Sequence, residues 1–259
     1  MKSVCLALLV ALLAGCASAP RIDSAYTATG QNSRVQYIIL HYTSTDLGHS
    51  LRLLTEEEVS SHYLIGDSPA TIYRLVDENR RAWHAGDSQW QGRTWLNGTS
   101  IGIELVNQGY LDGPGGRHWQ PYSEAQIEAL IVLLKDIVQR HQLAPGSILA
   151  HSDVAPQRKV DPGPLFPWKR LADAGLVPWP DAQAVARQQA LFAASLPSVA
   201  WFQAQLARQG YLIEQHGELD QATRNVIAAF QMKYRPARHD GQPDAETAAR
   251  LLVLNTPSL

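Results

Sequence analysis

The sequence predicts a mixed α/β domain followed by a small all-helical one. Three observations carry this. Short β-rich runs at residues 35–40, 71–76, 101–106 and 147–150 alternate with an amphipathic segment at 123–142. Polar residues stand at the ends of these runs, which places a site along one edge of a sheet. Beyond Leu176-Val177-Pro178-Trp179-Pro180 the β-rich runs stop, and the apolar residues fall at helical spacing. The 259 residues, 45% apolar with a net charge of −2, are enough for two globular units. No Lys/Arg run occurs, so nucleic acid is not an expected partner, and no obligate protein partner is evident.

The chain opens on a basic Met1-Lys2 and an apolar run from 4 to 13. About ten residues is too short to span a bilayer and suits a secretory leader. Leu13-Ala14-Gly15-Cys16 resembles the lipobox of bacterial lipoproteins, in which the cysteine is lipidated and becomes the first mature residue. That resemblance implies a signal peptide over 1–16, palmitate-type lipidation at Cys16 and attachment to the cell envelope. Ala17 after it suits the outer membrane, facing the periplasm. The other cysteine, Cys5, lies inside the leader, so the mature chain has no thiol for a disulfide, a nucleophile or a metal. Residues 17–33, rich in Ala, Ser and Thr, read as a flexible stalk.

From 34 to 180 the chain reads as one catalytic domain. Residues 35–40 form a buried strand with His41 at its C-terminal end, and 147–150 a short strand delivering His151. Ser123-x-x-Gln126 reads as a capping box opening a helix whose inner face is Ile127, Leu130, Ile131, Leu134 and Val138. Residues 181–197 read as a linker, helical up to Pro197. Residues 198–259 read as three short helices, at 198–209, 221–234 and 245–254, with corners at Gly210, Gly217 and Gly241.

His41, His151 and Asp161 are two imidazoles and a carboxylate, the ligand set of a catalytic zinc with its fourth position open. Without an HExxH helix, spacing alone leaves a structural role open for each histidine. Glu104, among Ile103, Leu105 and Val106, is either an exposed strand residue or a general base beside a metal-bound water. Alternation puts it on one strand face with Gly102 and Val106. Lys159, two residues before Asp161, is a surface cation or an oxyanion stabiliser. His62 reads as a core or supporting histidine. His84, near Trp83, Trp90 and Trp95, lies in a loop that lines a carbohydrate groove or simply packs. His49, His118, His141, His216 and His239 read as surface residues.

Six blocks occur in order: His41-Tyr42-Thr43, Ser61-His62-Tyr63-Leu64-Ile65, Trp83-His84-Ala85-Gly86, Asn97-x-x-Ser100-Ile101-Gly102-Ile103-Glu104, Ala150-His151-Ser152-Asp153-Val154-Ala155-Pro156 and Lys159-Val160-Asp161-Pro162-Gly163. Together they resemble the zinc-dependent N-acetylmuramoyl-L-alanine amidases of the type 2 family, relatives of a phage lysozyme and of the peptidoglycan recognition proteins. The resemblance implies a mixed central sheet flanked by helices. It also implies one zinc held by His41, His151 and Asp161, with catalysis by Glu104 and Lys159. His84, Trp95 and Asn97 stand as candidate substrate contacts. Two departures are visible. Ser61 occupies the place of a catalytic tyrosine in phage-type members, and Asp161 the place of their cysteine ligand. The C-terminal segment resembles a small peptidoglycan-binding domain, expected to add affinity for the polymer and to be removable without loss of chemistry. The expected activity is hydrolysis of the amide joining N-acetylmuramic acid to L-alanine in peptidoglycan or muropeptides, for cell-wall turnover or recycling. The alternatives are a recognition module that binds muropeptides without cutting and a zinc peptidase.

Overall fold

The computed structural model describes residues 20–256. The leader, Cys16 and residues 257–259 lie outside the described residues. Residues 20–32 form neither helix nor strand. No described helix is long and apolar enough to cross a membrane.

From Ser33 the chain builds strand β1 (Tyr37–Tyr42), helix α1 (Leu47–Glu56), β2 (Tyr63–Ile65) and β3 (Ile72–Arg74). Two short strands, β4 (Gln89–Trp90) and β5 (Arg93–Thr94), then pair with each other before β6 (Ser100–Leu105). A hairpin of β7 (Tyr110–Gly113) and β8 (Gly116–Trp119), not expected from the sequence, precedes α2 (Glu124–His141). β9 (Ile148–Ala150) runs directly into α3 (His151–Val154), followed by α4 (Trp168–Asp173). The main sheet has the order β3-β2-β6-β1-β9, with β1 parallel to both β6 and β9 and only β3 antiparallel.

A strand between two parallel neighbours is covered on both faces, so it reads as a continuous apolar run. Ile38, Ile39 and Leu40 are accordingly all fully buried, but they face opposite ways. Ile38 and Leu40 join Ile101, Ile103 and Leu105 against α2. Ile39 faces the other layer, and by the same alternation so do His41, Gly102 and Glu104. The strand lies two residues later than expected, which brings His41 into the ladder opposite Glu104.

The inner face of α2 also differs from expectation. Leu133 and Ile137 are buried beside Ile127, Leu130 and Leu134, whereas Ile131 and Val138 are only partly so. Three of the five expected positions are kept, and the buried stripe is turned by about 50° around the helix axis, half of one residue's step. Ser123 caps the helix by accepting from the Gln126 N–H, but the reciprocal half of the capping box is missing. The Gln126 amide instead donates to the carbonyls of Ile65 and Val106, tying the helix start to the sheet.

Four further helices follow: α5 (Ala182–Ala194), α6 (Val199–Gln209), α7 (Gln221–Tyr234) and α8 (Ala245–Asn255). Asp181, Ser198, Asp220 and Asp244 each cap a start by accepting a backbone N–H three residues on. The segment expected as a linker helical up to Pro197 is α5, which packs along α8. Nor does the bundle stand apart from the sheet. Phe202, Leu206, Val226 and Phe230 share one buried cluster with Tyr37, Ile39, Leu149 and Val154. A buried ion pair crosses the same junction, with Lys233 Nζ 2.8 Å from an Asp153 carboxylate oxygen. Tyr211 donates its hydroxyl to the other oxygen of Asp153 at 2.6 Å. The expected separability of the tail therefore conflicts with a core that both parts complete.

Candidate metal centre

Three segments converge at the C-terminal edge of the sheet, where open parallel sheets expose their functional groups. β1 brings His41, the start of α3 brings His151, and the turn after Lys159 brings Asp161. Asp161 is drawn back onto α3 because its carbonyl accepts the Ser152 N–H at 3.0 Å. Tyr122 holds the same turn by donating to the Pro162 carbonyl at 2.8 Å.

All three side chains are buried. His41 Nδ1 lies 2.9 Å from His151 Nδ1, and Asp161 Oδ2 lies 3.1 Å and 3.0 Å from the two nitrogens. Among the described residues, these three form the group able to hold a metal ion. Burial holds the His41 imidazole down at about 4, helped by His151 and opposed by Asp161. Burial would raise Asp161, but His151 and His41 outweigh it and hold the carboxyl far below its usual range. The triangle is slightly tighter than the roughly 3.3 Å ligand separations of a tetrahedral zinc with bonds near 2.0 Å. His151 Nε2 donates to the Ala85 carbonyl at 3.2 Å, which leaves Nδ1 as a lone pair aimed at the other donors. Lone pairs meeting a carboxylate oxygen call for a cation between them, and an N₂O set of this kind suits zinc.

A cavity of about 650 Å³ opens over the triangle. Glu104 and Lys159 both line it, together with Trp83, Val59, Leu111 and Tyr42. Glu104 keeps some exposure, but its Oε2 is closed off from solvent and has no hydrogen-bond partner. Burial and the Asp161 charge raise its carboxyl to about 8, with Lys159 working against them. A bound dication would pull that value down.

The candidate substrate contacts are distributed differently from expectation. His84 reaches the cavity, but both ring nitrogens are engaged within the protein. Nδ1 lies 3.0 Å from His41 Nε2, and Nε2 lies 3.1 Å from Ser100 Oγ. Burial, reinforced by His41, His62 and His151, holds it well below the usual histidine range. Asn97 is buried, and its Oδ1 accepts the backbone N–H groups of His84 and Ala85, so it clamps the loop and does not face the cavity. Trp95 is 67% exposed and outside the cavity lining, whereas Trp83, noted near His84 but not among the candidate contacts, forms part of the wall. Only the fold shows which indole faces the groove.

His62 is a core histidine. It donates from Nε2 to the Arg80 carbonyl at 3.1 Å and accepts the Gly102 N–H at Nδ1. Ser61 beside it is fully buried and lines no part of the cavity. His141 is not a free surface residue, because it pairs with Glu78 at 2.8 Å and with Ser33 at 2.7 Å.

Comparison with known proteins bears on this geometry. The sequence profile described as N-acetylmuramoyl-L-alanine amidase matches residues 31–164, and that of a peptidoglycan binding domain matches 195–251. The chain is 44% identical over 253 residues to the N-acetylmuramoyl-L-alanine amidase AmiD of Escherichia coli K12, covering 92% of this chain and 91% of that protein. It is similar in structure to E. coli AmiD in complex with the substrate anhydro-N-acetylmuramic acid-L-Ala-D-γ-Glu-L-Lys. There the TM-score is 0.82 at 42% identity, over 90% of this chain and 93% of that one. It is also similar to AmpDh3 of Pseudomonas aeruginosa in complex with anhydromuramic pentapeptide, with a TM-score of 0.84 at 38% identity over 92% and 98% of the two chains.

Proposed function

The chain belongs to the N-acetylmuramoyl-L-alanine amidase family, and on that premise we propose how its residues perform the reaction. It hydrolyses the amide between the lactyl group of N-acetylmuramic acid and L-alanine in peptidoglycan or muropeptides. A recognition module that binds without cutting is set aside with that membership. The observation that carries the catalytic reading is the buried Nδ1–Nδ1–Oδ2 triangle beneath a cavity that also holds Glu104.

His41, His151 and Asp161 would hold one zinc, which when bound would supply polarisation of the scissile carbonyl and lower the pKa of a water toward about 7. Glu104 takes a proton from the attacking water as the water oxygen bonds to the carbonyl carbon. Lys159 offers its ammonium to the negative charge that develops on the former carbonyl oxygen. Glu104 then returns the proton to the amide nitrogen, the C–N bond breaks, and the lactyl carboxylic acid and the free amine of alanine leave, the acid giving up its remaining proton to the amine or to water. Trp83, Leu111 and Val59 give the cavity apolar walls against which a sugar face or a peptide side chain can rest.

Two further assignments complete the reading. Cys16 carries the lipid and tethers the enzyme to the outer membrane, on its periplasmic side. The helical bundle binds the polymer, in keeping with the matching peptidoglycan-binding profile.

Metal analysis and product mass spectrometry together test the catalytic reading. The protein is expected to hold one zinc and to release the stem peptide with a free N-terminal alanine. His41→Ala and His151→Ala proteins that fold and keep full zinc would overturn the ligand assignment. Labelled palmitate should enter the unmodified chain but not Cys16→Ser, and equal labelling of both defeats the anchor.

A further inference from the structure

An imidazole offers Nδ1 to a metal only when its proton sits on Nε2. For His151 the reason is immediate, because Nε2 faces the Ala85 carbonyl, which can only accept. For His41 the partner of Nε2 is another imidazole, His84 Nδ1, and either ring could donate. The direction of that bond is decided two steps further back.

Ser100 Oγ lies 2.7 Å from the Leu96 carbonyl oxygen. A carbonyl has no proton to give, so the single hydroxyl proton of Ser100 is committed to it. Ser100 Oγ can then only accept from His84 Nε2, 3.1 Å away. A neutral His84 protonated on Nε2 has a bare Nδ1, which accepts from His41 Nε2. His41 Nδ1 is left bare, turned toward His151 and Asp161.

We propose that the Leu96 carbonyl, Ser100 and His84 form an outer relay that locks His41 into the tautomer able to ligate through Nδ1. His84 is a positioning residue here, neither a ligand nor a substrate contact. The surrounding fold is arranged around this ring. Gly102 leaves room for it, since a Cβ at that position would lie 2.7 Å from both Cδ2 and Nδ1 of His84. Asn97 fixes the loop that carries it through two backbone N–H groups at 3.1 Å and 2.8 Å. The same loop supplies the Ala85 carbonyl, so adjacent residues set the tautomers of both histidines. Partners of this kind orient a ligand and sustain its basicity.

The metal-binding consequence rests on the zinc reading above, whereas the tautomer itself does not. Nitrogen NMR of histidine-labelled, metal-free protein should show His41 and His84 protonated on Nε2 and bare at Nδ1. Zinc affinity, read by competition with a chelator, should fall about ten- to a hundredfold in His84→Leu. His84→Asn, whose amide oxygen can accept in place of Nδ1, should retain most of it. Ser100→Ala is the milder change should His84→Leu fail to fold, and it should give mixed tautomers at His41. A proton on His41 Nδ1 in the unmodified protein, or wild-type zinc affinity in folded His84→Leu, overturns the relay. If the unmodified protein takes up no zinc, the metal reading falls while the NMR spectrum still decides the tautomer.

Discussion

Replacing Lys233 with Met tests whether the helical bundle and the sheet are one folding unit. Lys233 Nζ lies 2.8 Å from Asp153 Oδ2, and the two side chains are 6% and 0% exposed. It also lies 4.3 Å from the Trp168 ring centre and donates to the Ile148 carbonyl. Met fills nearly the same volume, so the main loss is the charge. Removing one partner of a buried pair costs about 3–5 kcal/mol. Asp153 keeps the Tyr211 hydroxyl at 2.6 Å and the Ala150 N–H at 2.9 Å, which softens the penalty. We therefore take the lower end, about 3 kcal/mol, or roughly 6–12 °C in Tm for a chain of this size. Thermal unfolding followed by circular dichroism at fixed zinc concentration measures it. Adding Asp153→Asn should recover much of the loss, because a neutral amide can still accept from Tyr211. Unfolding of Lys233→Met within a degree of wild type would refute the reasoning, since the pair would then hold nothing across the junction. The same logic applies to truncation. Removing residues from 198 onward takes Phe202 and Phe230 off Ile39 and Leu149, so the remaining sheet is expected to lose solubility before any question of polymer affinity arises.

Glu104→Gln should cut turnover about a hundredfold or more with zinc content unchanged, and near wild-type kcat would return Glu104 to a structural role. In metal-free protein the same change should stabilise the fold above neutrality. The native carboxyl is raised to about 8, so wild type holds more protons folded than unfolded and loses stability as pH rises from about 4.5 to 8. Equal melting of the two proteins across that window defeats the point. Gly102→Ala should destabilise by about 1–3 kcal/mol through collision with His84, and an unchanged Tm would show that the ring can move aside. Glu78, held at about 2 by Arg140, Tyr63 and His141 against the upward push of burial, is depressed, so its stabilisation should be present above about pH 4.5 and lost as pH falls toward 2. Glu78→Gln should therefore melt like wild type near pH 2 and below it at neutral pH.

Much of this molecule was legible before any coordinates. The α/β order and the three C-terminal helices follow from apolar periodicity, a local property that survives any tertiary context. His41, His151 and Asp161 could be nominated from residue chemistry and family blocks, because a two-imidazole, one-carboxylate set limits the metal chemistry. Other features depended on which partner each group meets. Gln126 has the composition of a capping box, yet its amide is spent on the buried carbonyls of Ile65 and Val106 at the edge of the sheet. Asn97 and His84 carry the marks of a binding loop, but packing turns one inward as a clamp and sets the other behind His41. Periodicity reports that a side chain is buried and is silent on what it is buried against. For that reason the sequence by itself determined the order of the main elements, the family and the candidate ligands. Only the tertiary structure decided that the bundle closes the sheet, that Trp83 replaces Trp95 at the cavity, and that a carbonyl at Leu96 governs the proton on His41.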